Sequence, residues 1–199
     1  MTKAVALLSG GLDSQLAIRL IQDQGIEVVG VNFSSPFFGE SLWVEKAAQN
    51  LGIKVHTIHF GEEYLDLLKN PRYGFGKNLN PCIDCHGLML KLAGQYMEEI
   101  GADFIITGEV LKQRPKSQKA DAMRAVEKIS GYSGLILRPL SARLLPPTLP
   151  EIRGVVDRER LLDISGRSRK TQIKLAQEYG IHEYPSPAGG CLLTVPNFA

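Results

Sequence analysis

The chain has 199 residues, 44% hydrophobic and 22% charged, with a formal net charge of +2 at pH 7. This is the make-up of one globular domain with at most a small appendage, not of a disordered or fibrous chain. No apolar run reaches the ~18 residues of a membrane span and no signal-peptide core opens the chain, so a cytoplasmic protein with no membrane partner is expected.

Residues 4–8 are a short apolar run that predicts a buried strand. Leu16, Ile18, Leu20 and Ile21 predict a part-buried helix over 15–24. Between them stands Ser9-Gly10-Gly11-Leu12-Asp13-Ser14, a strand–turn–helix junction. Adjacent glycines allow positive φ and close backbone approach. The helix start offers unpaired N–H groups and a positive dipole end, and Ser9 and Ser14 add hydroxyls. Together they make a seat for phosphate or pyrophosphate. Asp13 would repel a bare anion, but it fits if a magnesium ion (Mg2+) bridges it to the phosphates. The stretch is not a Walker loop, because no Lys-Ser or Lys-Thr pair follows.

Residues 26–34 predict a second strand, joined to the first by a right-handed crossover in a parallel sheet. A loop over 34–40 leads to a helix over 42–51, stopped by Gly52. A third strand is expected over 54–60 and a short helix over 62–68. His56 and His59 fall on opposite faces of that strand and read as structural, and Trp43 reads as a packing group. A Gly/Pro/Asn loop over 70–81 delivers the chain to Cys82-Ile83-Asp84-Cys85, which opens a helix running to Ile100. A fourth strand is expected over 103–110, with Thr107-Gly108-Glu109 at its carboxyl end, where ligands bind in open α/β sheets.

Residues 111–143 hold 8 Lys/Arg against 2 Asp/Glu, whereas residues 1–110 hold 8 against 13. The basic segment, with Lys112, Arg114, Lys116 and Lys119, suits a polyanionic partner and runs into an amphipathic helix ending near Ile129. A fifth strand over 135–137 leads into Arg138-Pro139-Leu140. A proline-rich loop is expected over 143–150, helices over 158–164 and 169–179, and a turn over 184–190 before Cys191. The order of elements predicts an α/β fold: a doubly wound parallel sheet of about five strands with helices on both faces, spanning 1–199 as a single domain.

Three cysteines are too few, and odd in number, for a disulfide framework. Cys82 and Cys85 stand at a helix start, which is expected to lower their thiol pKa values. With Cys191 they offer three readings: zinc with a further ligand, a 4Fe–4S cluster held through three irons, or catalysis in which one thiol carries sulfur and another resolves a disulfide. His86 reads as a helix-face residue rather than a ligand.

The stretch Ser9–Ser14 matches the SGGxDS signature of PP-loop ATP pyrophosphatases. The chain as a whole resembles the tRNA thiouridine synthetases of that class, both 4-thiouridine synthetases and 2-thiouridine synthases. Thr107-Gly108-Glu109 with Gln113, Ser117 and Gln118 resembles the family's TGE…Q…SQ stretch, and Arg138-Pro139-Leu140 its RPL. Asn80-Pro81-Cys82 resembles the entry to the cysteine pair in 2-thiouridine synthases. The resemblance implies ATP cleaved to AMP and pyrophosphate, adenylation of a uridine oxygen, and its replacement by sulfur. It implies catalytic roles for Asp13, Cys82, Cys85 and Cys191, with the three cysteines as ligands of a 4Fe–4S cluster and zinc as the alternative. It puts ATP against Ser9, Gly10, Gly11, Asp13, Ser14, Val31, Asn32, Phe33, Gly108, Gln118 and Arg138. For tRNA, Lys112, Arg114, Lys116, Lys119, Arg167, Arg169, Lys170 and Lys174 are expected contacts. Sulfur would come from inorganic sulfide or from a cysteine desulfurase or carrier protein, and a homodimer is left open. The chain begins at the PP-loop and stops eight residues after Cys191, so a C-terminal truncation, or tRNA recognition by a missing domain or a partner, is part of the expectation. Two other readings remain open: a PP-loop ligase or amidating enzyme for a small molecule with structural zinc, and a nucleotide-binding subunit that needs a partner.

Overall fold

The computed structural model describes residues 2–39, 41–76, 78–186 and 191–198. Strands β1 (Lys3–Leu7), β2 (Glu27–Ser34), β3 (Val55–His59), β4 (Phe104–Ile106) and β5 (Ile136–Leu137) form one sheet in the order β3-β2-β1-β4-β5. Every pairing is parallel. The order reverses direction between β1 and β4, so the crevice at their carboxyl ends is the switch point where such sheets bind ligands. The expected doubly wound α/β architecture is the observed one.

Side-chain alternation along the strands feeds two cores. Ala4 and Ala6 of β1 and Ile106 of β4 face α1 (Leu12–Gln22) and α2 (Leu42–Leu51) through Ile18, Ile21, Val44 and Ala47. Val5, Ile105 and Ile136 face the other way, onto α4 (Cys82–Glu99) and α5 (Ala120–Ser130) through Leu90, Ala93, Met97 and Val126. A third cluster joins the outer side of α1 to α7 (Lys170–Glu178) through Leu12, Leu16, Ala17, Leu20, Ala176 and Ile181. That cluster docks the C-terminal part of the chain against the helix that follows the Ser9–Ser14 loop. Helix α3 (Glu62–Lys69) closes the bottom of α4 with Tyr64 packed on Cys85 and Leu88.

Three local expectations change. The fourth strand stops at Ile106 rather than 110, although Thr107 still donates its N–H to Leu137 (3.0 Å). The proline-rich stretch over 143–150 is not all loop: a 3-10 turn spans Ala142–Leu144 and a short helix, α6, spans Leu149–Ile152. Thr148 and Glu151 cap each other there, and Pro150 falls in the first turn, where its missing N–H costs nothing. The helix expected over 158–164 is only a 3-10 turn, Arg158–Arg160. Beyond it Leu162 and Ile164 donate their N–H groups to Pro139 and Leu140, so the backbone is already committed across to the Arg138-Pro139-Leu140 stretch. The turn expected over 184–190 lies partly outside the described residues.

His56 stacks on Tyr96, with ring centroids 4.5 Å apart and 8° between planes, a structural role as expected. Trp43 is less of a packing group than expected. The residue is 38% exposed with Lys46 over its ring, and its backbone makes the tighter contact, against the Ser9–Ser14 loop.

Candidate active site

The loop is built by its neighbours as much as by itself. Gly10 has φ +73°, and a Cβ on it would meet the backbone carbon of Trp43 at 2.6 Å. Only glycine lets α2 approach that closely. Ser14 donates its hydroxyl to the Gly11 carbonyl (2.8 Å), with Ser9 Oγ 3.4 Å away. Gln15, fully buried, donates through Nε2 to the carbonyls of Gly10 (3.0 Å) and Glu183 (3.0 Å). One amide therefore ties the loop to the C-terminal segment.

Asp13 stands in the first turn of α1, at its positive end. Its Oδ2 accepts a hydrogen bond from Gln113 Nε2 (2.7 Å), and Arg169 Nη2 lies 3.7 Å away. Gln113 Oε1 accepts in turn from Gln172 Nε2 (3.1 Å) on α7. Asp13 Oδ1, Arg169 Nε, Gln15 Oε1 and Gln172 Oε1 are buried with no hydrogen-bond partner among the described residues. A carboxylate oxygen, an arginine N–H and a loop cradled by glycine fit a nucleotide polyphosphate with its magnesium ion. Asp13 would hold the metal, and the loop N–H groups, Ser9 and Ser14 the phosphates.

Asn32, near the end of β2, is buried with its Nδ2 unpartnered among the described residues, while Val31 and Phe33 beside it are taken up by the core. Gln118 is also buried. Its side chain accepts from the Arg114 N–H (2.9 Å), and its carbonyl accepts from Lys112, which sits at φ 63°. It shapes the loop that carries the basic residues.

Arg138 is 3% exposed. Its Nε donates to Glu109 Oε2 (2.9 Å) and its Nη1 to Glu127, leaving Nη2 without a partner among the described residues. These two carboxylates take up the guanidinium charge. Burial alone would raise the Glu109 carboxyl, but Arg138 and His86 outweigh it and hold it down to about 2. His86 is correspondingly more than a helix-face residue: its Nδ1 lies 3.2 Å from Glu109 Oε1.

Cys191, far along the chain, lies near enough to Cys82 and Cys85 to bear on the ionisation of both. Cys85 is 8% exposed, while Cys82 and Cys191 are partly exposed. The expected lowering of the thiol pKa values is not found. Burial raises all three, Cys85 to about 12: desolvating a thiolate outweighs the nearby Lys116 and Arg114 at Cys82 and the Tyr64 hydrogen bond at Cys85. Among the described residues, no group of three or more His, Cys, Asp or Glu is arranged to hold a metal ion. Among the described residues the three thiols as placed do not close into one ligand set for a cluster or zinc.

Of the expected RNA contacts, Lys112, Arg114, Lys119, Arg167, Lys170 and Lys174 are exposed and Lys116 half-buried. Arg169 instead turns inward to Asp13. Sequence reasoning missed this, along with Gln15 and Gln172. Glutamines on helices usually face solvent, and nothing local marks these as buried. No helix among the described residues is long and apolar enough to cross a membrane.

Residues 1–143 match the family model described as Thiamine biosynthesis protein (ThiI). The chain is 28% identical to the tRNA-specific 2-thiouridylase MnmA of Proteus mirabilis, over 84% of this chain and 51% of that protein. It is 37% identical to the MnmA of Sulfurimonas denitrificans, over 56% of this chain and 36% of that one. The chain thus spans about half the length, or less, of these curated relatives. Its fold is like that of a 4-thiouridine synthetase solved in complex with RNA and bound ATP: TM-score 0.56, 22% identity, covering 90% of this chain and 52% of that one.

Proposed function

The chain belongs to the ThiI family, and on that basis we propose that it is an ATP-dependent tRNA sulfurtransferase acting through one PP-loop domain over 1–199. It adenylates a carbonyl oxygen of a uridine and replaces that oxygen with sulfur. A carbonyl oxygen is a poor leaving group, and transfer of AMP to it, with pyrophosphate departing, makes it a good one. Ser9, Gly10, Gly11 and Ser14 hold the phosphates, and Asp13 orients the magnesium ion that offsets their charge. Arg169, aimed at the same place, bears on the polyphosphate rather than on RNA.

The observation that carries the reading is a chain of contacts from the thiols to the loop. Cys85 is followed by His86, which meets Glu109; Glu109 is preceded by Gly108, which packs on Ser14. The cysteine helix and the phosphate loop are therefore joined through His86, Glu109 and Gly108.

Sulfur is carried on the thiols. Cys191 and Cys82 are accessible to a donor, whereas Cys85 is buried. A donor persulfide passes its outer sulfur to an accessible cysteine and leaves as a thiol; the cysteine persulfide then attacks the activated carbon, and AMP leaves. A second cysteine then attacks the resulting carbon-linked disulfide, releasing thiouridine and leaving a cysteine disulfide, which a dithiol reductant reopens. A 4Fe–4S cluster on the same cysteines, implied by the resemblance, would require them to close into one ligand set. The test is pyrophosphate release with ATP, unmodified tRNA, a persulfide donor such as a cysteine desulfurase with cysteine, and a dithiol reductant, with thiouridine detected in the digested RNA and inorganic sulfide alone as the comparison. Turnover only with a small substrate would favour a ligase. Iron and acid-labile sulfide in anaerobically purified protein would restore the cluster, and their absence alongside a persulfide adduct would retain the thiol route.

A further inference from the structure

The stretch between α3 and α4 is rich in Gly, Pro and Asn, yet its residues 71–76 are held at several points. Asp84, 6% exposed and inside the Cys-x-x-Cys pair, accepts the backbone N–H groups of Arg72 (3.1 Å) and Tyr73 (3.0 Å). Gly74 donates to Pro71 (3.1 Å), and Gly76 to the Asn80 carbonyl (2.8 Å). Lys116 Nζ, from the basic segment, donates to the Gly74 carbonyl (3.0 Å). A loop tied at these points has little backbone freedom left to lose on binding.

What it presents to solvent is two rings, Tyr73 at 37% exposure and Phe75 at 43%. The Arg72 guanidinium lies 5.8 Å from the Tyr73 ring centroid. Lys116 and Arg114 stand near enough to act on the Cys82 thiol. Two exposed rings, three cations and a thiol therefore share one surface. Rings set among cations are the composition of a surface for unpaired nucleic acid, where bases stack and phosphates pair. An apolar protein contact has no use for the cations.

We propose that the loop over 71–76, flanked by Arg114 and Lys116, is a docking platform on which unpaired RNA bases stack beside the cysteines. This rests on the tRNA reading above and names the surface that receives the substrate. The test is anisotropy of a labelled single-stranded oligouridylate, with a duplex of the same length as the comparison. Removing both rings, in Tyr73→Ala with Phe75→Ala, should weaken single-strand binding about tenfold per ring. The ring-keeping pair Tyr73→Phe with Phe75→Tyr should bind like wild type. A double-alanine protein with wild-type melting and wild-type RNA affinity overturns the proposal and leaves the loop to a protein partner. Preference of the wild type for duplex, or no binding at all, overturns it too. Ring-dependent RNA binding in a protein that forms no thiouridine would keep the platform and sink the activity. Thiolation unaffected in the double-alanine variant would do the reverse.

Discussion

Gly108, just beyond β4, is packed so closely on Ser14 that a Cβ would lie 2.5 Å from the Ser14 backbone nitrogen and 2.6 Å from the Asp13 carbonyl carbon. The obstructing atoms are backbone atoms of the first turn of α1, which cannot rotate away. Gly108→Ala must therefore push β4's extension off the PP-loop. The expected cost is about 1–3 kcal/mol of stability, with weakened ATP binding. Thermal melts and ATP titration measure both, and an alanine variant normal in each would mean the two segments are not in fixed contact.

Asp13 and Arg169 should act on the nucleotide together. Asp13→Asn keeps the Gln113 contact in reach but removes the charge that would hold a magnesium ion. It should weaken magnesium-dependent ATP binding while leaving the melting temperature near that of wild type. Arg169→Ala removes one charge-assisted contact, about 1.5–3 kcal/mol or roughly tenfold or more in ATP affinity. Arg169→Lys should recover part of it. Normal ATP affinity with weakened tRNA binding would return Arg169 to the RNA surface.

The Glu109–Arg138 pair makes a stability prediction with a definite sign. Glu109 is held down to about 2 from an ordinary 4.5. A depressed carboxyl stabilises the fold fully above its unfolded value and loses that contribution as pH falls toward its folded one. Urea unfolding should show wild-type stability dropping between about pH 4.5 and pH 2. Glu109→Gln should lose about 1.5–3 kcal/mol at neutral pH, because it leaves Glu127 to carry the charge of the buried Arg138, and should flatten that slope. A variant as stable as wild type at neutral pH would mean Glu127 alone neutralises Arg138.

Thiol reactivity should follow burial. Cys85, raised to about 12 and buried, should be alkylated last by iodoacetamide at pH 8, after Cys191 and Cys82. Peptide mapping over time gives the order. Early modification of Cys85 would show that the site opens enough to let a donor reach it.

How much of this was legible in the amino-acid order depends on range. The Ser9–Ser14 loop was, because strand, turn and helix are contiguous and each is announced by local pattern: an apolar run, paired glycines, a periodic apolar face. The parallel sheet was too, since alternating strands and helices admit few topologies. The stretches over 143–150 and 158–164 were misread where tertiary hydrogen bonds or a cap overrode local propensity. The charge on Arg169 was legible but its destination was not: it reaches Asp13 only because Ala176 and Ile181 dock α7 on Leu16 and Leu20 of α1. The same holds for Cys191, brought to Cys82 and Cys85 by folding across more than half the chain. Their raised pKa values follow from burial, a property of the packed protein and not of the Cys-x-x-Cys spacing. Residue chemistry and local periodicity thus set which groups are available and which elements carry them. Only tertiary packing, which sets distance and desolvation, decided which of those groups face each other and in which charge state.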